Sequence, residues 1–330
     1  MYSLARINET KDITAMTTQV FIDGEAGTTG LQIRERLESR ADITLIQLDD
    51  ARRKDAEARK IALNSADIVI LCLPDAAARE AVAWLENPDT RVIDASSAHR
   101  VADGWTYGFA EMAPEQAGLI AKARFVSNPG CYPQGFIASV RPLVEAGLLP
   151  ADFPLTYNAI SGYSGGGKAM IADFEAEGST MPPYLPYGLT LEHKHLPEML
   201  AYAGIIHQPV FQPAVGKYAQ GMIGAVPLQL WAIDDEPTGA DIHAILTERY
   251  ANSTFVNVAP LTSFERSNDV TPEVLNGTNS LHLHVCANDE TGQAIVLSVY
   301  DNLGKGASGA AVQNLNLMTG LDEATGLTRG

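Results

Sequence analysis

From Thr18 to Ala95 the chain repeats one unit: a short apolar run, a turn, and a stretch with helical periodicity. The runs Gln19 to Asp23, Ile43 to Leu48, Ile68 to Leu73 and Arg91 to Ala95 read as strands. Thr29 to Ser39, Asp55 to Asn64 and Asp75 to Leu85 read as helices. Strands alternating with helices in this way pack as a parallel sheet covered by helices on both faces. The fold class is therefore α/β, with a doubly wound parallel sheet at its N-terminal end.

The whole chain is too long for that sheet alone. At 330 residues it exceeds the size at which one core keeps growing, and 46% hydrophobic content is enough for two. Beyond residue 150 the texture changes to longer apolar strands, Leu155 to Ile160, Met222 to Trp231, Leu281 to Ala287 and Ala294 to Tyr300, with fewer helices between them. That predicts a second, α+β domain with a mixed or antiparallel sheet. Pro182 to Gly188 reads as a loop. Gly304 to Gly309 reads as a glycine-rich loop entering an amphipathic helix, Ala310 to Met318, that packs back on the first domain.

Charge narrows the partners. With 40 acidic against 23 basic residues the net charge is −17, which argues against nucleic acid and anionic membranes, since both need basic surface. An anionic ligand needs a locally basic pocket. No apolar run approaches the about 20 residues of a membrane helix. Residues 1–17 mix Glu9, Lys11 and Asp12 and lack the apolar core of a signal peptide, so they read as a loose extension. Three cysteines, at 72, 131 and 286, have no metal or disulfide spacing and favour a reducing, cytoplasmic setting.

The first crossover, Gly24-Glu25-Ala26-Gly27-Thr28-Thr29-Gly30, spaces glycines by three between a strand and a helix. Glycine lets the backbone approach a pyrophosphate, and the helix N-terminus adds N–H donors and positive dipole. The loop departs from the usual dinucleotide fingerprint, yet it stands where doubly wound sheets place the cofactor. After the second strand come Asp49-Asp50-Ala51-Arg52-Arg53-Lys54. Basic residues there accommodate a ribose 2′-phosphate, which selects NADP(H).

Cys131 lies in Ser127-Asn128-Pro129-Gly130-Cys131-Tyr132-Pro133, a turn before a long helical pattern. A thiol at that place meets the positive end of the helix dipole, which favours the nucleophilic thiolate. Cys72 and Cys286 lie inside strands and read as structural. The proton-handling partner is sought in Glu192-His193-Lys194-His195-Leu196-Pro197-Glu198, with either histidine suited to acid–base work and Glu198 spaced to orient the His195 ring. A zinc site is disfavoured: the other histidine pair, His282 and His284, is explained by strand alternation. Asp94-Ala95-Ser96-Ser97-Ala98-His99-Arg100 ends the fourth strand and suggests an anion pocket built on Ser96 and Arg100. Ser161 to Lys168 is a second donor-rich loop, and Lys217 adds another positive charge.

Taken together, Gly24 to Gly30, Asp94 to Arg100, Asn128 to Pro133, Ser161 to Gly167, His193 to Glu198 and Asp301 to Gly309 resemble the N-acetyl-γ-glutamyl-phosphate reductases, most closely their shorter, second type. The resemblance covers nearly all of the chain after residue 17. Gln134 departs from it, standing where the family commonly has threonine. It implies NADPH-dependent reduction of an acyl phosphate to a semialdehyde in arginine biosynthesis, through a thioester on Cys131. The catalytic set is then Cys131, His193, His195 and Glu198. Cofactor-binding residues are Gly24, Ala26, Gly27, Thr28, Thr29, Gly30, Arg52, Ser96, Gly304, Lys305 and Gly306; substrate-binding residues are Ser96, Arg100, Asn128, Ser161 and Lys217, with no metal. The implied domains are an extension at 1–17, a dinucleotide-binding domain at 18–130 plus 305–330, and a catalytic and oligomerisation domain at 131–304, assembling as a dimer or tetramer. The nearest alternative is an aspartate-semialdehyde-dehydrogenase-like acyl-phosphate reductase. A catalytically silent NADP sensor is the alternative from another class.

Overall fold

The computed structural model describes residues 17–261 and 270–330, so the expected extension at 1–17 falls, except for Thr17, outside the described residues. The first layer runs β1 (Thr18–Asp23), α1 (Thr28–Leu37), β2 (Ile43–Ile46), α2 (Ala56–Ser65), β3 (Ile68–Leu71), α3 (Asp75–Ala83) and β4 (Arg91–Asp94). It closes with β5 (Thr106–Tyr107), α4 (Gln116–Lys122) and β6 (Phe125–Ser127). All pairings in this sheet are parallel, in the order β2-β1-β3-β4-β6-β5. The order reverses between β1 and β3, so the crevice beyond their carboxyl ends is the place where such sheets bind ligands. Side chains from the two faces of this sheet form separate cores, one with Ile33, Ile70 and Val312, the other with Leu63, Val69 and Ala78.

The chain then enters α5 (Cys131–Glu145), and the second layer follows as β7 (Thr156–Gly162), α6 (Gly167–Glu175), β8 (Tyr184–Pro186), α7 (Leu196–Tyr202), β9 (Val210–Gly216) and β10 (Met222–Gln229). After these come α8 (Gly239–Tyr250), β11 (Val256–Val258), β12 (Leu281–Asn288), β13 (Gln293–Tyr300) and α9 (Gly309–Thr319). The seven-stranded sheet has the order β11-β12-β13-β10-β7-β9-β8 and mixes parallel with antiparallel pairs. Helix α5 packs on it through Phe136, Ile137 and Val140, each fully buried. Pro142 inside α5 cannot donate to the Ala138 carbonyl, and the Tyr250 hydroxyl of α8 takes that acceptor at 2.9 Å, so the proline leaves no orphaned group.

Two local expectations need correction. The segment Pro182 to Gly188 holds strand β8, paired antiparallel to β9 at the sheet edge, where a proline costs no ladder bond. Gly304–Ser308 is a π-helical turn rather than a loop, with the Gly306 and Ser308 N–H groups bonded to the Asp301 and Leu303 carbonyls, and it runs directly into α9. Helix α9 does pack on the first layer, burying Ala311, Val312 and Leu315 among Val20, Ile33 and Ile93.

Candidate active site

Cys131 is the first residue of α5 and follows β6 through the turn Asn128–Gly130. That turn is tied down at several points: the Asn128 N–H donates to the Asp94 carbonyl at 2.7 Å, and the Tyr300 hydroxyl donates to the Cys131 carbonyl at 2.6 Å. The thiol opens into a cavity of about 400 Å³ between the two layers, lined by Arg100, Asn128, Ser161, His193, Lys194 and His195 on its inner walls. Thr28 and Thr29 of α1, the Gly165–Gly167 turn before α6, and Gly306 complete it. A Cβ built on Gly306 would lie 3.0 Å from Cys131 Cβ and 3.1 Å from the Asp301 carbonyl oxygen, a close approach that favours glycine.

The residue before the nucleophile is equally constrained. A Cβ built on Gly130 would lie 2.6 Å from Glu198 Oε1, 2.6 Å from His195 Nε2 and 2.7 Å from Arg100 Nη1. Three functional side chains thus converge on one peptide. Arg100, buried, donates from Nη1 to Glu198 Oε1 at 2.7 Å, from Nε to the Asn128 carbonyl at 3.1 Å and from Nη2 to the Ala95 carbonyl at 3.2 Å. Burial pushes the Cys131 thiol up from its usual pKa, and the Arg100 guanidinium is the main counterweight. The helix dipole does not by itself make a thiolate here, so a base is required.

Both histidines sit at the cavity just before α7. Burial, helped by Lys194 and Arg100, lowers His193 to about 4 and His195 well below the ordinary value, so both are neutral at pH 7, with a ring nitrogen free to accept a proton but weaker as bases than an exposed histidine. His193 Nδ1 accepts the His195 backbone N–H at 3.1 Å, whereas His195 Nδ1 is buried with no partner among the described residues. Glu198 does not orient His195 as its spacing suggests: Oε1 lies 4.0 Å from His195 Nε2, and its oxygens accept from Arg100, the Tyr107 hydroxyl and the Gly130 N–H.

Several expected site residues are occupied elsewhere. Ser96 lies outside the cavity lining, its hydroxyl and N–H both donated to Asp94. The Asn128 side-chain amide reaches the cavity wall but bonds the Ala307 carbonyl and Asn314. Lys217 is on the exposed side, beside the Met181 carbonyl. Lys305 is 1% exposed, paired with Glu111 at 2.7 Å and bonded to Gln313, so its charge serves the junction between layers and not a ligand. Gly304 is likewise enclosed, its built Cβ 2.2 Å from the Thr278 carbonyl.

The glycine turn after β1 fits a dinucleotide. Gly24 has φ +92°, and a Cβ there would stand 2.3 Å from the Cys72 carbonyl at the end of β3. Gly27 caps α1 without a side chain, and the first intrahelical bond runs from the Leu31 N–H to the Gly27 carbonyl. The N–H groups of Thr28, Thr29 and Gly30 therefore have no intrahelical acceptor. A small cavity lined by Gly27, Thr28, Thr29 and Gly30 shares Thr28 and Thr29 with the cavity at Cys131. On the other side of Gly24 a third hollow is lined by Gly24, Ala26, Leu48, Arg53, Lys54 and Arg59. Arg52 does not line it; the basic residues that do are Arg53, Lys54 and Arg59, the last with its charge held by Asp23 at 2.8 Å.

Lys194 and Tyr107 had no role in the sequence reading. The signal for Lys194 was its place between two histidines; Tyr107 is brought in only by the tertiary fold. Among the described residues no three metal-ligating side chains lie together, and no helix is long and apolar enough to cross a membrane.

Two family models match the chain. One described as "Semialdehyde dehydrogenase, NAD binding domain" matches residues 19–120, and one described as "Semialdehyde dehydrogenase, dimerisation domain" matches residues 131–302. The sequence is 58% identical over 308 residues to an N-acetyl-gamma-glutamyl-phosphate reductase of Mesorhizobium japonicum, covering 93% of this chain and 100% of that protein. It is 50% identical over 318 residues to N-acetyl-gamma-glutamyl-phosphate reductase 2 of Nostoc sp., covering 94% and 99%. An aspartate semialdehyde dehydrogenase structure from Francisella tularensis superposes with a TM-score of 0.70 at 15% identity, covering 92% of this chain and all of that one, a likeness of fold.

Proposed function

The chain belongs to the N-acetyl-gamma-glutamyl-phosphate reductase family, and we propose that it reduces N-acetyl-L-glutamyl 5-phosphate to N-acetyl-L-glutamate 5-semialdehyde with NADPH, releasing phosphate, as a step of arginine biosynthesis. The observation that carries this reading is the cavity at Cys131. It brings a thiol, two neutral histidines and two cations, Arg100 and Lys194, against the uncapped end of α1, with no carboxylate in its lining among the described residues. In a chain of net charge −17, an acid-free wall with a lysine that has no partner among the described residues suits a substrate bearing carboxylate and phosphate.

Residues Gly24 to Gly30 would hold the cofactor pyrophosphate, with Arg53 and Lys54 at its ribose phosphate. When bound, NADPH supplies the hydride that takes the enzyme thioester down to the thiohemiacetal. The chain's own groups do the rest. His195 takes the thiol proton as Cys131 Sγ attacks the acyl carbon, and the C–O bond breaks with its electron pair leaving on phosphate, toward Arg100 and Lys194. N–H groups at the start of α5 stabilise the oxyanion; that of Gly130 is already committed to Glu198. The imidazolium gives its proton to the thiohemiacetal oxygen and takes it back as the C–S bond breaks, which frees the semialdehyde and leaves a thiolate; the same proton then passes from the imidazolium to sulfur and restores the thiol. We assign this shuttle to His195 rather than His193 because the His195 ring abuts the peptide preceding Cys131.

Residues 18–130 with 305–330 form the cofactor unit on this reading and 131–304 the catalytic and self-associating unit, as a dimer or tetramer. The three free thiols suit the cytoplasm. The test is the reverse reaction: NADPH formation from N-acetylglutamate semialdehyde, dependent on inorganic phosphate and absent with aspartate semialdehyde. Cys131→Ser abolishes it while NADP still binds. Turnover without phosphate, or in C131S, refutes the reading.

A further inference from the structure

Glu198 is buried, and its carboxylate belongs to a closed ring of four residues drawn from both layers, linked through side chains and the Arg100 backbone carbonyl. Tyr107 in β5 donates its hydroxyl to Glu198 Oε2 at 2.7 Å. Glu198 Oε1 accepts from Arg100 at 2.7 Å. Tyr202, at the end of α7, donates to the Arg100 carbonyl at 2.6 Å and stacks on Tyr107, ring centroids 3.9 Å apart and 17° from parallel. Neither tyrosine lines the cavity at Cys131. The ring reaches the nucleophile through one further bond, from the Gly130 N–H to Glu198 Oε2 at 3.0 Å. Gly130 is the N-cap of α5, and no side chain caps that helix from within its own turn.

We propose that Tyr107 is a positioning residue for the nucleophile: its hydroxyl, braced by the Tyr202 ring, holds the Glu198 carboxylate on Arg100 and the Gly130 N–H, and so fixes the turn from which Cys131 starts α5. The inference rests on the reading of Cys131 as the nucleophile. Its physical basis is the geometry of one carboxylate shared by three donors. Remove the tyrosine hydroxyl, and a buried anion keeps two donors, its charge less well satisfied and free to shift toward the thiol and His195. The charged groups facing Cys131 are Arg100 from the loop after β4, Lys194 from the loop before α7, and Glu198 on α7; His193 and His195 are neutral. The neighbouring tyrosines, Tyr132 on α5, Tyr157 on β7, Tyr187 after β8 and Tyr300 on β13, are pushed up by burial and stay protonated. Only Arg100 and Glu198 in this set belong to the ring, so a change at Tyr107 reaches the thiol through them.

The experiment is the pH dependence of Cys131 alkylation by iodoacetamide, read on the Cys131 peptide by mass spectrometry so that Cys72 and Cys286 do not interfere. It needs no acyl phosphate, so it reports on the ring even if the proposed reaction is wrong. In Tyr107→Phe the profile moves up by about half a pH unit, or about threefold slower alkylation at pH 7. The kcat falls about tenfold with KM within about twofold. Tyr202→Phe, which keeps the stack and loses the bond to Arg100, shifts the profile the same way by less, and decides the matter should Y107F fail to fold. Y107F in a Glu198→Gln background adds no further loss, since both act through one carboxylate. An unmoved alkylation profile overturns the proposal, whether kcat is unchanged or only the melting temperature drops, and so does full additivity with E198Q.

Discussion

Replacing Gly130 by alanine probes whether the nucleophile's turn is held by the groups that converge on it. Gly130 has φ −68° and ψ 154°, a conformation open to any residue, so the effect is steric and not one of backbone strain. Against Glu198 Oε1 and His195 Nε2 the new methyl would stand at 2.6 Å, and against Arg100 Nη1 at 2.7 Å; ordinary contact begins at 3.4 Å, so each must retreat by 0.7–0.8 Å. All three are nearly buried, with exposures of 1% for Glu198, 5% for His195 and 8% for Arg100, so each moves only by disturbing its neighbours or by shifting toward the cavity at Cys131. Overpacking costs about 1–3 kcal/mol, and loosening the Arg100–Glu198 pair adds a share of the about 3–5 kcal/mol that attends breaking a buried pair. We expect a loss of about 3 kcal/mol by urea denaturation. A displacement of nearly an ångström at the reacting group lowers kcat by about 100-fold, with KM little changed. Gly118→Ala is the control: it is exposed, lies inside α4, and its built Cβ meets nothing within 4 Å. It should gain up to about 1 kcal/mol in stability from helix propensity. A G130A enzyme within about 0.5 kcal/mol and about twofold of wild type would refute the idea that this convergence positions Cys131.

Lys194→Met removes a cavity cation that has no partner among the described residues and should raise KM for the acyl phosphate at least about tenfold with kcat within about threefold, measured by steady-state kinetics. An effect confined to the phosphate KM of the reverse reaction places the lysine at phosphate, and one shared with the semialdehyde places it at carboxylate. Arg53→Ala with Lys54→Ala should cut the preference for NADPH over NADH by about tenfold or more, while Arg52→Ala leaves it unchanged, as read from kcat/KM with each cofactor. Burial holds His193 near about 4 and His195 well below the ordinary value of 6.5. Between about pH 6.5 and about 4 the unfolded chain therefore binds protons that the native chain does not, and stability falls as pH drops through that window. Thermal melts at pH 7 and pH 5 should show this, and His193→Gln should flatten the slope.

Much of the fold was written in local pattern. The βα alternation from Thr18 to Ala95 is legible because each strand is a short apolar run and each helix shows its own period, as at Asp55, whose side chain caps α2 through the Ala58 N–H. The strand in Tyr184–Pro186 escaped because its prolines and tyrosines carry loop statistics, and its pairing with β9 is a long-range contact. Cys131, His193 and His195, which share one cavity, were legible as a candidate site because their residue types and turn positions advertise chemistry without reference to partners. Arg52, Ser96, Lys217 and Lys305 were misplaced because residue type cannot tell a charge or hydroxyl facing a ligand from one spent internally. Lys305 on Glu111 and Ser96 on Asp94 are the plain cases.

By itself the sequence determined the doubly wound sheet, the glycine turn at its switch point, the thiol at the head of α5 and the histidine pair ahead of α7. These follow from periodicity, turn chemistry and helix ends, all of which act over a few residues. Only the tertiary structure decided what those groups touch. It brought Glu198 to Arg100, Tyr107 and the Gly130 N–H instead of His195, placed Lys194 in the lining of the cavity with no partner among the described residues, and set His195 against the peptide preceding Cys131. A charge or hydrogen bond is satisfied by whichever group lies within about 3 Å of it, and in this chain the partners come from segments as far apart in sequence as Arg100 and Glu198.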